Sequence, residues 1–119
     1  MDKVNLAEKM ALFTERWKPK IVGELNDCYV KVVKFQGEFV WHTHPEEDEL
    51  FLVVSGSFEL RYRDRVVTLK PGELAIVPKG IEHCPFAALE CHVMLIERKT
   101  TVNTGDAGGA RTVEKLERI

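Results

Sequence analysis

Cysteine is scarce in this chain: Cys28, Cys84 and Cys91 are the only three. An odd count cannot pair completely, so a disulfide framework is not expected to organise the fold. The N-terminal stretch has neither the positive flank nor the continuous apolar segment of a signal peptide, and a reducing, cytoplasmic setting is the expectation. No apolar run comes near the ~20 residues that a membrane-crossing helix needs, so no membrane partner is expected. Positive charge is not in excess either, with 17 Lys and Arg against 19 Asp and Glu and a net charge of −2. Without a basic stripe to neutralise phosphates, the case for a nucleic-acid partner falls away. Repeats, low-complexity blocks and any mark of a second domain are also missing. A length of 119 residues with 45% hydrophobic content fits a single domain, 1–119, with one core.

What is present is a succession of short alternating segments punctuated by Gly, Pro and Asp. Strands are expected at 21–25, 28–35, 38–43, 49–54, 58–62, 66–69, 74–77, 83–86 and 90–97. Many short strands with tight turns point to an all-β sandwich or barrel and away from βαβ units. Leu6, Met10, Leu12 and Phe13 recur at roughly helical intervals, which predicts a short helix over 5–13 capped by Asn5. The stretch 101–111 is rich in Gly, Thr, Asn and Asp and reads as an irregular tail. A second short helix is expected over 112–119, with Thr112 as cap and Val113, Leu116 and Ile119 on its apolar edge.

The segment Trp41-His42-Thr43-His44-Pro45-Glu46-Glu47-Asp48-Glu49-Leu50 carries the chemistry. In a strand, side chains alternate faces, so His42 and His44 project together while Thr43 projects the other way. Pro45 ends that strand, and Glu46, Glu47 and Asp48 fall in a solvated turn. Glu49 opens the apolar run to Val54 and shares a face with Phe51 and Val53. A carboxylate at the head of a buried strand is costly unless neutralised, and a divalent cation held by neighbouring imidazoles would do so. Downstream, Lys70-Pro71-Gly72 and Pro78-Lys79-Gly80 read as turns, and His83 enters the next strand. Three His and one Glu can then close a set of four metal ligands with positions left open for water or substrate.

The spacing Gly37-x4-His42-x-His44-x4-Glu49-x6-Gly56 resembles the first cupin motif, and Gly72-x5-Pro78-x-Gly80-x2-His83 resembles the second. The interval from Gly37 to His42 is one residue shorter than usual, and Ala87 stands where the second motif commonly ends in Asn. The resemblance is to small, single-domain cupins of the type-2, mannose-6-phosphate isomerase-like group. It implies a cupin-like β-barrel of the double-stranded β-helix or jelly-roll kind, with its core at about 21–98 and a tail with a short helix at 99–119. It also implies one divalent metal ion, Mn, Fe, Ni, Zn or Cu, on His42, His44, Glu49 and His83.

No catalytic residue beyond these ligands is identifiable. The expected function is a metal-dependent enzyme acting on a small oxygenated molecule, and a non-catalytic binding or sensor protein is the alternative. Cys84 and Cys91 are read as buried thiols, His92 as a surface or hydrogen-bonded residue, and Phe39 and Trp41 as packing on the side away from His42. Lys31, among Tyr29, Val33 and Phe35, is read as a solvated or snorkelling side chain, with a pocket cation as the other reading. Apolar side chains on both faces of 50–54 call for cover, and a homodimer is expected.

Overall fold

Period-two burial shapes most of this chain. The computed structural model, which describes residues 2–119, contains one helical turn, α1 (Leu6–Met10), and eight strands. They are β1 (Lys20–Leu25), β2 (Cys28–Glu38), β3 (Glu49–Ser55), β4 (Phe58–Tyr62), β5 (Val66–Leu69), β6 (Leu74–Val77), β7 (His83–Arg98) and β8 (Glu117–Arg118). On β3, Glu49, Phe51 and Val53 are buried while Leu50, Leu52 and Val54 lie half-buried on the opposite face. The inward stripe of β7 is Cys91, Val93, Leu95 and Glu97. With Val33 and Phe35 of β2 and Phe58 and Leu60 of β4, these side chains fill one core. A smaller cluster of Met10, Phe13, Val22 and Val32 lets the N-terminal segment cover part of the outer face.

The strands pair in the order β5-β4-β7-β2-β1-β8, and β3 joins β7 on one side and β6 on the other. Every pairing is antiparallel except β1 with β8. The pivot is β7: its first residues pair with β4, and the rest runs between β2 and β3. The ladder stays open, ending at β5, β6 and β8. The all-β jelly roll is thus as expected, in the form of a rolled sheet and not of a closed hydrogen-bonded ring.

Three expectations are corrected. The C-terminal helix over 112–119 does not form: Glu117 and Arg118 lie parallel to Lys20 and Ile21, and the Ile119 amide donates to Ile21 O at 3.1 Å. A segment of eight residues is below the length at which helix propensity sustains itself, so pairing with β1 prevails. The strand expected at 38–43 is instead the end of β2 followed by an irregular stretch, because Gly37 at φ +82° turns the chain where the β2–β7 register shifts. Conversely, 83–86 and 90–97 belong to one strand, since the segment between them is a bulge and not a break. The N-terminal helix is shorter than 5–13, but Asn5 caps it as expected, its Oδ1 accepting from the Glu8 amide at 3.0 Å.

Candidate metal centre

Backbone pairing brings the chemistry-bearing residues together. His42 and His83 form an isolated antiparallel bridge, each amide donating to the other's carbonyl at 3.0 Å. His44, two residues on, returns to the same side, and its carbonyl accepts from the Gly80 amide at 2.9 Å. Gly80 has φ +82°, a conformation that Gly adopts without strain. Glu49 enters from the head of β3, and Asp48, at the surface, ties the turn to the Lys79 amide at 2.8 Å. His42, His44, Glu49 and His83 are all at most 4% exposed. One ligand atom from each lies within 4.8 Å of those of the other three.

The tautomers are set from behind. Nδ1 of His42 faces Val40 O at 2.8 Å and Nδ1 of His83 faces Ile81 O at 2.9 Å. A carbonyl can only accept, so each Nδ1 carries the hydrogen and each Nε2 keeps its lone pair toward the centre. Nε2 of His83 sits 3.2 Å from Glu49 Oε1, and Nε2 of His44 sits 3.3 Å from the same oxygen but off the hydrogen-bonding line, leaving it a buried atom without a partner. Lone pairs converging on a carboxylate oxygen repel unless a proton or a cation lies between them. Burial, and then the neighbouring His83, push the His42 imidazole down to about 4. Burial works against charge on Glu49, and its carboxyl is held well below the usual range where His44 and His83 meet it with a proton or a cation between them. Bonds of about 2.1 Å to one ion put opposed ligand atoms about 4.2 Å apart. An opposed pair at 4.8 Å would close by about 0.6 Å and an adjacent pair by more, shifts within reach of side-chain rotation, so the four residues fit a mononuclear divalent ion.

Behind Glu49 lies a second buried carboxyl. Glu97 is its direct cross-strand partner in the β3–β7 ladder, and the two side chains share a face. Burial and the adjacent Glu49 charge raise the Glu97 carboxyl well above its usual range. Lys31 Nζ approaches Glu97 Oε1 at 2.8 Å, and Lys31 is 0% exposed. The reading of Lys31 as solvated or snorkelling is therefore corrected: its face of β2 is the core face, and Glu97 supplies the counter-charge.

A narrow cavity of about 30 Å³, room for a few waters, opens beside His42, Glu49 and Glu97, and its apolar wall includes Trp17, Phe35, Phe39, Phe51 and Leu95. Phe39 does not face away from His42 as expected; their rings meet edge to face at 5.5 Å because 39–41 has left the strand geometry. Trp41 does point elsewhere, stacking under Arg63. Trp17 holds a left-handed backbone, φ +64°, unusual for a bulky side chain, and its indole stacks on Phe35 and Phe39 while Nε1 donates to Gln36 O at 2.9 Å.

The segment after β7 straps the site from outside. Asp106 accepts from the Thr43 amide at 2.8 Å and its own amide donates to Thr43 O at 3.1 Å. A Cβ on Gly105 would stand 2.3 Å from Thr43 O, so the close approach requires Gly. Asn103 lines the cavity but commits its amide to Arg111 O and the Val113 amide within the strap.

The structure thus assembles all four residues singled out by spacing. It leaves His92 outside, paired with Glu90 at 3.0 Å. Cys84 and Cys91 are buried, and burial pushes both thiols up to about 11, which removes them as nucleophiles. Spacing alone missed Glu97, Trp17 and Asn103, and for Lys31 the pocket cation is only the second reading. Glu97 and Lys31 had a usable signal, since Glu97 closes the stripe Cys91-Val93-Leu95 and Lys31 shares a face with Val33 and Phe35. Trp17 and Asn103 sit in irregular segments where alternation says nothing.

Known proteins show the same plan. The chain is 38% identical over 79 residues to the uncharacterised protein YdbB of Bacillus subtilis, covering 66% of this chain and 70% of that one. The crystal structure of a cupin-2 domain containing protein from Shewanella frigidimarina superposes with a TM-score of 0.80 at 44% identity, covering 81% of this chain and 94% of that one. The structure of protein NMB1881 from Neisseria meningitidis gives a TM-score of 0.75 at 31% identity, covering 82% and 100%. The model of the cupin domain matches residues 29–97. That span includes His42, His44, Glu49 and His83 together with Lys31 and Glu97, and the chain belongs to the cupin family.

Proposed function

We propose that the protein is a metal-dependent enzyme, of isomerase or oxygenase type, acting on a small oxygenated molecule. One divalent ion, Mn, Fe, Ni, Zn or Cu, is held by His42, His44, Glu49 and His83. The observation that carries this reading is the convergence of buried imidazole nitrogens, with their lone pairs inward, on one carboxylate. Such an ion supplies Lewis-acid polarisation of an oxygen ligand or a site for dioxygen.

The chain's own residues do the rest. On a six-coordinate ion, these four side chains would leave up to two positions for other ligands. Phe35, Phe39, Phe51 and Leu95 keep bulk water out. Glu97 lies beside Glu49 within the cavity wall and is held there by Lys31. The alternative, a non-catalytic metal-binding, small-molecule-binding or sensor protein, draws support from the tightness of the cavity, which admits little more than an ion with a few waters.

Buried, unpaired Cys84 and Cys91 fit the reducing cytoplasm proposed for the chain. Leu50 and Leu52 pair with Ile76 and Leu74 on one side and with Ile96 and Met94 on the other, an outer apolar stripe across three strands that supports a homodimer. Among the described residues no helix is long and apolar enough to cross a membrane.

The deciding experiment is elemental analysis of protein purified without a histidine tag, followed by apo protein refilled with each metal. A panel of small hydroxy, keto and thiol compounds is then followed by oxygen uptake and product mass. Turnover in the iron(II) or manganese(II) form supports the enzyme. Binding without change in every form selects the alternative, and the absence of any stoichiometric metal ends the metal-dependent enzyme and the metal-binding form of the alternative.

A further inference from the structure

Lys31 and Glu97 form an ion pair at 2.8 Å with side chains 1% and 0% exposed, inside the barrel. A buried pair is a poor stabilising device, because apolar replacements of similar volume are often neutral or better. Its position offers another reason for it. Glu97 stands directly across from Glu49 in the β3–β7 ladder, on the same face, so the two buried side chains lie side by side. Its Oε1 is committed to Lys31 and its Oε2 finds no protein donor. Lys31 is in turn fixed by strand β2, whose neighbouring inward residues Val33 and Phe35 form the cavity wall. A continuous chain of contacts therefore runs from Lys31 through Glu97 and Glu49 to the imidazoles of His44 and His83.

We propose that the Lys31–Glu97 pair is a positioning device: Lys31 pins Glu97, and Glu97 orients the Glu49 carboxylate so that a single oxygen is presented between His44 and His83. This rests on the reading of the four residues as a metal centre. An unsupported Glu49 could rotate about its side-chain torsions and offer either oxygen or both. Held from behind, it offers one. The apolar wall supplies no other group able to hold it, since Phe51 and Leu95, the neighbouring residues on the two strands, carry no donor. Partners that orient a ligating carboxylate typically carry 10–100-fold in metal affinity.

The test is cobalt(II) titration of apo wild type, Glu97→Gln and the double variant Lys31→Met/Glu97→Met, read by the visible spectrum that reports coordination geometry and accompanied by thermal unfolding. Wild type is expected to take one cobalt per chain. Glu97→Gln should bind roughly 10–100-fold more weakly with a changed spectrum. The double variant, in which neither charge of the pair remains to be buried, should melt at or above the apo wild-type temperature and still bind weakly with the changed spectrum. A purely structural pair would move the melting temperature and leave the spectrum alone. Wild-type affinity and spectrum in the double variant overturn the proposal. A wild type that takes up no cobalt overturns the metal reading itself, and the positioning role falls with it.

Discussion

His42 makes the metal-free protein acid-sensitive by an amount that can be worked out in advance. Burial and His83 lower its imidazole from 6.5 to about 4. In the unfolded chain the same imidazole protonates below about 6.5. Above that pH both states hold it neutral and the fold has its full stability. As pH falls from 6.5 toward 4 only the unfolded state takes up the proton, so stability drops. A gap of about 2.5 pH units at 1.36 kcal/mol each is about 3.4 kcal/mol in total, of which about 2 kcal/mol is gone by pH 5. Two neighbours also titrate. Glu49, held low, loses stability only below the ordinary carboxylate range of about 4.5. Glu97, held high, contributes with the opposite sign across the same window. The His42 part is therefore read as a difference. Urea unfolding of chelator-treated wild type and His42→Gln at pH 7.5 and pH 5.0 should show the wild type losing about 2 kcal/mol more than the variant. Equal losses in the two proteins would mean that His42 is not buried neutral in the folded state, and the tautomer argument would fail with it.

Further outcomes are expected. His44→Ala and Glu49→Gln should each abolish stoichiometric metal uptake while leaving the circular dichroism of the sheet intact; wild-type metal content in both would refute the ligand set. Gly105→Ala puts a Cβ 2.3 Å from Thr43 O at a residue with φ +53°, and the left-handed backbone alone costs roughly 1–2 kcal/mol. Denaturant unfolding and limited proteolysis should both show a loosened strap, and an unchanged midpoint would refute the close approach. Only Cys28, the one partly exposed thiol, should react quickly with a thiol reagent in the native protein, since Cys84 and Cys91 are 0% exposed; two or three fast thiols would contradict the packing. Light scattering should report a dimer, and a clean 13.6 kDa species at high micromolar concentration would remove the outer stripe as an interface.

The centre was legible because two rules of strand geometry act on adjacent residues. Alternation aligns His42 with His44 and Glu49 with Phe51, and Pro and Gly mark the turns that return the chain to His83. The strands at 58–62, 66–69 and 74–77 were legible for the same reason and match β4, β5 and β6. Where the chain obeys contacts instead of local periodicity, the reading stopped short. Val113 and Leu116 suggested a helix edge, yet the Val113 amide is taken by Asn103 and the chain beyond it by β1. Lys31 was judged by its charge, whereas its face of β2 decided its burial. Phe39 lay two residues past a shift in register that only the partner strand reveals.

The length of β7 has a consequence for how this protein folds. His83 and Glu97 sit near opposite ends of this single strand, yet both touch Glu49. Sixteen residues extended straight would span roughly 50 Å, so the two contacts coexist only after the strand has curled around the core through its bulge. Neither the hairpin of β4 with β5 nor the pairing of β1 with β2 assembles the centre by itself. Long-range sheet pairing of this kind is slow relative to hairpin closure. Contacts completed late affect escape from the native state more than entry to it. An ion bound there would therefore act as a latch: it should lengthen the lifetime of the folded chain while leaving its refolding rate almost untouched.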